Sequence, residues 1–352
     1  MPDPIAAFLK DLLQLPGLPG HEAPVRRRVE AEWTALADEL SVSRLGSLHA
    51  LKRGSGPSPR PSVMLAAHMD AIGLMVSEVT GGFLRLTAMG GVDPRILPGQ
   101  PVLVHGRRDL PGLVVQPPAA CLPKGGKDRP VPLEHLLVDV GLPASQVTRR
   151  VRPGDLVSFA QPPMELGEDM IAGHSLDNRA SLAALTVCLQ ELQQRQHVWD
   201  VVAVATAQEE LTAGGAQTSG FALRPDVAVA IDVTYGRGLG QPEHKTYPLR
   251  GGPTNIWGPD IHPGVYKAIE AAAQRIDVWL TVELCPDHSG TDAHAIQVAA
   301  EGVPTGAVSV PLRYMHTPLE VVAIPDIRGA GRLLAEFVAG LESDFLDRLS
   351  WD

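Results

Sequence analysis

The chain has 352 residues, 44% hydrophobic and 20% charged, a composition that supports a large core and more than one domain. Its formal net charge of −10 excludes a general nucleic-acid or anionic-membrane binder, since both need a basic surface, and 4% aromatic residues leave little for a stacking platform. No apolar run approaches the roughly 18–20 residues that span a bilayer.

The N-terminal stretch 1-MPDPIAAFLKDLLQLPG-17 places Ile5, Phe8, Leu9, Leu12 and Leu13 at helical spacing, and Pro16 and Gly17 end it. It lacks the basic start, pure apolar stretch and small-residue cleavage site of a signal peptide. With Cys121, Cys188 and Cys285 far apart and odd in number, the expected location is a reducing cytoplasm. The apolar run 62-SVMLAAH-68 then reads as a buried strand.

The texture changes after residue 70. Thirteen of the 32 prolines fall within residues 94–163, among short candidate strands (83-FLRLTAM-89, 102-VLVHG-106, 113-LVVQ-116, 156-LVSFA-160) and no long helix. A structureless loop of that length is improbable. Residues 70–167 therefore read as a compact β-rich unit inserted into an α/β domain formed by 1–69 and 168–352. Beyond it, 180-ASLAALTVCLQELQQRQ-196 sets Leu182, Leu185, Leu189 and Leu192 on one helical face. The runs 201-VVAVATA-207, 226-DVAVAID-232 and 305-TGAVSV-310 are nearly all apolar without alternation. That pattern marks a mixed, largely parallel sheet with helices on both faces. The run 236–252 reads as a loop to which no role attaches.

Ligands of open parallel sheets bind beyond the carboxyl ends of the strands. The first strand delivers His68 and Asp70 there, the second Glu209 and Glu210, the third Asp232 and the fourth His316; Asp177 stands just before the long helix. Singly, each has a structural explanation: a core histidine, a helix N-cap, a wet turn. Together they offer the mixture of imidazole nitrogen and carboxylate oxygen that suits zinc, cobalt or manganese. The count serves two divalent ions, with His68 and Asp232 at one, His316 and Glu210 at the other and Asp177 between them. Glu209 is left free to polarise a water between the ions, as in two-metal peptide hydrolysis. Asp70, two positions beyond His68, is placed to accept from the outer ring nitrogen of that histidine.

The fragments 66-AAHMDAIGLMV-76, 174-HSLDNRAS-181, 206-TAQEEL-211, 231-IDVT-234, 290-GTDA-293 and 314-YMHTPLE-320, in this order and spacing, resemble the M42 family of metallo-aminopeptidases, the tetrahedral aminopeptidases, essentially from end to end. The resemblance implies an α/β peptidase domain interrupted by a β-rich dimerisation domain. It also implies two divalent metals held by His68, Asp177, Glu210, Asp232 and His316, with Glu209 as general base and Asp70 as partner of His68. It further implies short free-amine peptides as substrates and dimers assembled into a twelve-subunit tetrahedral shell. The chain has 212-TAGG-215 where the family commonly reads Gly-Leu-Arg-Gly, and 289-SG-290 where it favours Gly-Gly. These departures replace no proposed ligand and leave the preferred N-terminal residue open. A deacylase on the same scaffold, a glycoside hydrolase built on the paired acids, and a catalytically inactive assembly protein are the competing readings.

Overall fold

A computed structural model describes residues 3–122 and 129–351. The chain opens with α1 (Pro4–Leu13) and α2 (Ala23–Trp33), then lays down β1 (Glu39–Val42), β2 (Leu48–Lys52) and β3 (Ser62–His68). Asp3 caps α1 by accepting from the N–H groups of Ile5 and Ala6, and Ile5, Phe8, Leu9, Leu12 and Leu13 form the buried face of the helix.

The proline-rich region forms β4 (Gly73–Thr80), β5 (Phe83–Met89), β6 (Pro101–His105), β7 (Asp109–Val115), β8 (Leu137–Asp139), a short helix α3 (Ala144–Arg150) and β9 (Leu156–Phe159). Its strands close into an antiparallel barrel in the order β4-β5-β8-β7-β6-β9. Closure gives every barrel strand a neighbour on both sides, and Leu74, Leu84, Val104, Val138 and Val157 fill a core separate from that of the large sheet. The next strand, β10 (Met164–Leu166), lies inside the span 70–167 but pairs with β11 (Met170–Gly173) in the large sheet. The strands of the barrel thus run from Gly73 to Phe159.

The chain continues through α4 (Leu176–Leu192), β12 (Asp200–Thr206), α5 (Glu209–Thr212), α6 (Gly214–Leu223), β13 (Val227–Tyr235), β14 (Thr254–Trp257) and α7 (Pro263–Ile276). It ends with β15 (Thr281–Leu284), α8 (Asp292–Gln297), β16 (Thr305–Arg313), β17 (Glu320–Ala323) and α9 (Ile324–Ala339). The large sheet runs β1-β2-β12-β3-β13-β16-β17-β11-β10, with β14 on β16 and β15 on β14. Its centre is parallel: β12 on β3, β3 on β13, and β13 on β16.

Both faces of those central strands are dry. Val63, Leu65, Ala67, Val201, Ala203, Val229 and Ile231 join the core formed with α1, α2, α4 and α9, whereas Met64, Ala66, Val202 and Val204 join residues of α6 and α8. This double burial is why the strand sequences are apolar without alternation. The parallel register also levels their ends, with Thr206 opposite His68 and Asp232 opposite Ser309.

Helix α9 packs on α4 with Gly331 at the contact. A Cβ there would lie 2.5 Å from both the Ala184 carbonyl oxygen and Val187 Cβ. Gly331→Ala is expected to cost about 1–3 kcal/mol, read as a lower urea midpoint. Gly329→Ala, whose new Cβ would come no closer than 3.4 Å to Pro253, is expected to be neutral or to gain up to about 1 kcal/mol of helix propensity. Equal midpoints would contradict the close helix contact.

Candidate active site

The site is assembled around Asp177. Ser175, immediately before α4, has a left-handed backbone (φ 70), and Asp177 (φ −79, ψ 103) departs from helical geometry. The residue therefore does not cap the helix; its carboxylate projects to the end of the sheet. Asn178 Nδ2 donates to the Ile231 carbonyl at 2.9 Å and Ser181 Oγ to the Asp232 carbonyl at 3.1 Å, tying the start of α4 to β13. Asp177 then meets two imidazoles on separate oxygens. His68 Nε2 lies 3.2 Å from Oδ1 and His316 Nε2 lies 3.3 Å from Oδ2.

Each imidazole has a further carboxylate beside it. Asp232 Oδ1 is 3.8 Å from His68 Nε2, and Glu210 Oε2 is 3.6 Å from His316 Nε2. Two triads result, His68–Asp177–Asp232 and Asp177–Glu210–His316, each with its donor atoms within 4.8 Å of one another. Asp177 belongs to both. Glu209 Oε2 stands 3.7 Å from His68 Nε2, outside either triad.

The structure changes two expectations about positions. The acid pair is not at a strand end: β12 stops at Thr206, Gln208 turns left-handed (φ 63), and Glu209 and Glu210 open the one-turn helix α5. The N–H groups of that turn need acceptors, and no side chain of its own cap provides one. Asp70 does, taking the Glu209 N–H on Oδ1 at 3.0 Å and the Glu210 N–H on Oδ2 at 3.1 Å, while Glu22 accepts from Gln208 at 3.0 Å. The second change concerns His68. Its Nδ1 is 3.1 Å from the main-chain carbonyl of Asp70 and 3.6 Å from the Asp70 carboxylate. The backbone of Asp70 is thus the nearer partner of the ring, and its carboxylate braces the acid pair.

Two supporting acids carried no role in the sequence reading. Glu320, fully buried on β17, accepts the Asp177 N–H at 3.1 Å and the His316 N–H at 2.9 Å, one on each oxygen. Asp292, at the start of α8, accepts from Thr206 Oγ1 at 2.5 Å. Both lie in fragments that carried the family resemblance, 314-YMHTPLE-320 and 290-GTDA-293.

So many acids in one place distort one another. Burial pushes the Glu209 carboxyl up to about 8, aided by the charges of Asp292, Asp177 and Glu210, and burial likewise raises Glu210 to about 7. Asp232 and Glu320 are raised well above the usual carboxylate range, chiefly by burial. Asp177 moves the other way: its burial is outweighed by hydrogen bonds from His316 and His68, which hold it below the usual range. His316 rises to about 9 through its bond to Asp177.

The cleft over the site encloses about 510 Å³, and no lysine or arginine among the described residues lines it. The nitrogen–oxygen spacings of 3.2–3.8 Å are close to the edge of a coordination shell with bonds of about 2.0–2.2 Å. The donor set therefore fits a divalent metal: imidazole and carboxylate, largely buried, converging and with no lysine or arginine among the described residues of the lining.

The barrel touches this centre through the loop after β5. Gly90 is left-handed (φ 80), and a Cβ on Gly91 would lie 2.6 Å from His316 Nδ1. Gly91→Ala must displace that ring. It is expected to weaken metal uptake about 10–100-fold, as measured by chelator competition; unchanged affinity would show that the ring does not depend on this contact.

Fold and site together fit a metal-dependent hydrolase of the α/β class. The sequence model of the M42 glutamyl aminopeptidase family matches residues 46–333, and the chain belongs to that family. It is 34% identical over 332 residues to a lysyl aminopeptidase of Pyrococcus furiosus, covering 91% of this chain and 92% of that one. An aminopeptidase of Desulfurococcus kamchatkensis superposes with a TM-score of 0.89 at 30% identity, covering 98% and 97% of the two chains. The TET1 peptidase of Pyrococcus horikoshii, which can assemble into a tetrahedron or a large octahedral shell, superposes with a TM-score of 0.83 at 25% identity, covering 96% and 100%. The chain is accordingly an aminopeptidase, an exopeptidase that hydrolyses peptide bonds.

Proposed function

We propose that the protein removes the first residue of short peptides at a centre of two divalent metals, with Glu209 as the proton carrier. The observation that carries this reading is the pair of donor triads sharing one carboxylate, Asp177. His68 and Asp232 would hold one ion, Glu210 and His316 the other, and Asp177 both; zinc, cobalt and manganese all suit these donors. Bound metals would supply Lewis acidity, lowering the pKa of water and polarising the scissile carbonyl.

The protein's own groups do the rest. Glu209, outside both triads but 3.7 Å from His68 Nε2, takes the proton of the attacking water and passes it to the departing amine. Asp70 and Glu22 fix the turn that aims Glu209, and Glu320 fixes the backbone of Asp177 and His316. A free substrate amine completes the charge match in an acidic cleft, which makes the enzyme an exopeptidase. By the family resemblance the β-barrel would serve as a dimerisation module, and by likeness to the TET1 peptidase, which can assemble into a tetrahedron or a large octahedral shell, copies of this chain would form a larger homo-oligomer.

Glu209→Gln separates the roles. The variant is expected to bind two metals per chain in elemental analysis and to lose about 10²–10⁴-fold in kcat on aminoacyl-anilides. Near-normal turnover would remove Glu209 from the mechanism, and wild-type activity surviving complete chelation would remove the metals.

A further inference from the structure

We propose that Glu283 is the specificity-determining residue of this cleft and that it selects peptides beginning with a cationic side chain, lysine or arginine. The inference rests on the aminopeptidase reading above and adds the substrate class to it.

Glu283 lies on β15, outside both metal triads, and its side chain lines the same cleft as His68, Asp177 and Asp232. Its carboxylate is held by two hydroxyls: Thr234 Oγ1 donates to Oε1 at 2.7 Å and Thr254 Oγ1 to Oε2 at 2.6 Å. Thr234 follows Asp232 by two residues on β13, so the two side chains share a face and stand about 7 Å apart along the strand. Glu283, bonded to Thr234, therefore sits about one two-residue strand step beyond Asp232, a displacement that a lysine or arginine side chain of an N-terminal residue held at the triads can span.

Glu283 is the one acid of the described lining, besides Glu209, that belongs to neither triad. Metal binding would occupy Asp177, Glu210 and Asp232 and proton transfer Glu209, which leaves Glu283 among the lining carboxylates; no lysine or arginine among the described residues lines the cleft. Among the described residues it forms no ion pair, although it is partly buried. A partly buried carboxylate gains most from a cation that arrives with its own hydrogen-bond donors. The neighbouring imidazoles His288 and His294, 5.0 Å apart, also line the cleft and are exposed. An acidic first residue is the class they would favour, so the two classes are directly opposed in the test.

Lysyl-, arginyl-, leucyl- and glutamyl-anilides assayed with the metal-loaded wild-type enzyme should rank the cationic pair highest in kcat/KM. In Glu283→Gln the ratio of lysyl to leucyl kcat/KM should fall about 10–100-fold, the loss expected for one charged hydrogen bond. A readout independent of turnover accompanies this: lysinamide should raise the wild-type Tm more than leucinamide does at equal concentration, and Glu283→Gln should abolish the difference. A wild-type preference for the glutamyl or leucyl substrate overturns the inference while leaving the aminopeptidase reading intact. Equal losses on all substrates in Glu283→Gln also overturn it, by assigning Glu283 a structural tether between β13, β14 and β15. Failure of the wild type on every free-amine anilide removes the peptidase reading and this inference with it.

Discussion

The rest of the molecule is arranged around a concentration of like charge. Asp177, Asp232, Glu209, Glu210, Asp292 and Glu320 crowd the carboxyl edge of one sheet, away from bulk water. Carboxylates in such a place are costly unless they are protonated, hydrogen-bonded or matched by cations. The protein uses hydrogen bonds for some: Asp70 takes the two N–H groups of the acid pair, and Glu320 those of Asp177 and His316. For the rest, the imidazoles at 3.2 and 3.3 Å from Asp177 are the nearest positive partners, and divalent cations would complete the balance.

Holding that charge requires a scaffold that does not relax. Parallel strands buried on both faces fix His68 and Asp232 as continuations of a dry core. The remaining groups sit on backbone that ordinary residues adopt at a cost. Ser175, Gln208 and His316 all have positive φ, at 70°, 63° and 60°. Such conformations persist because the surrounding contacts determine them, and here they aim the donors of Asp177, the acid pair and His316 into one cleft. The barrel contributes as well, because Gly91 leaves the room that the His316 ring occupies.

Much of this was legible from pattern. Unalternating apolar runs announced a parallel sheet covered on both faces, and reading what each run ends with located His68, Asp232 and His316. Prolines and short strands marked the β-rich unit. What pattern did not convey has physical causes. A glutamine in the left-handed region carries no local signal, so Glu209 and Glu210 read as a strand end when they open a helix. Asp70 lies two residues after His68 in sequence, yet the chain has left the strand by then, and its carboxylate turns to backbone N–H groups 139 and 140 residues away. Glu320 and Glu283 act through partners that only tertiary folding supplies. The return of the chain to the large sheet at β10 depends on a three-residue strand too short to announce itself.

The central claim is that Asp177 joins two cation sites. Anomalous diffraction from crystals loaded with zinc, recorded on both sides of the zinc absorption edge, tests it most directly. The account predicts two anomalous peaks per chain flanking the Asp177 carboxylate, one bonded to His68 Nε2 and the other to His316 Nε2. A single peak, or two peaks of which neither touches Asp177, would contradict it.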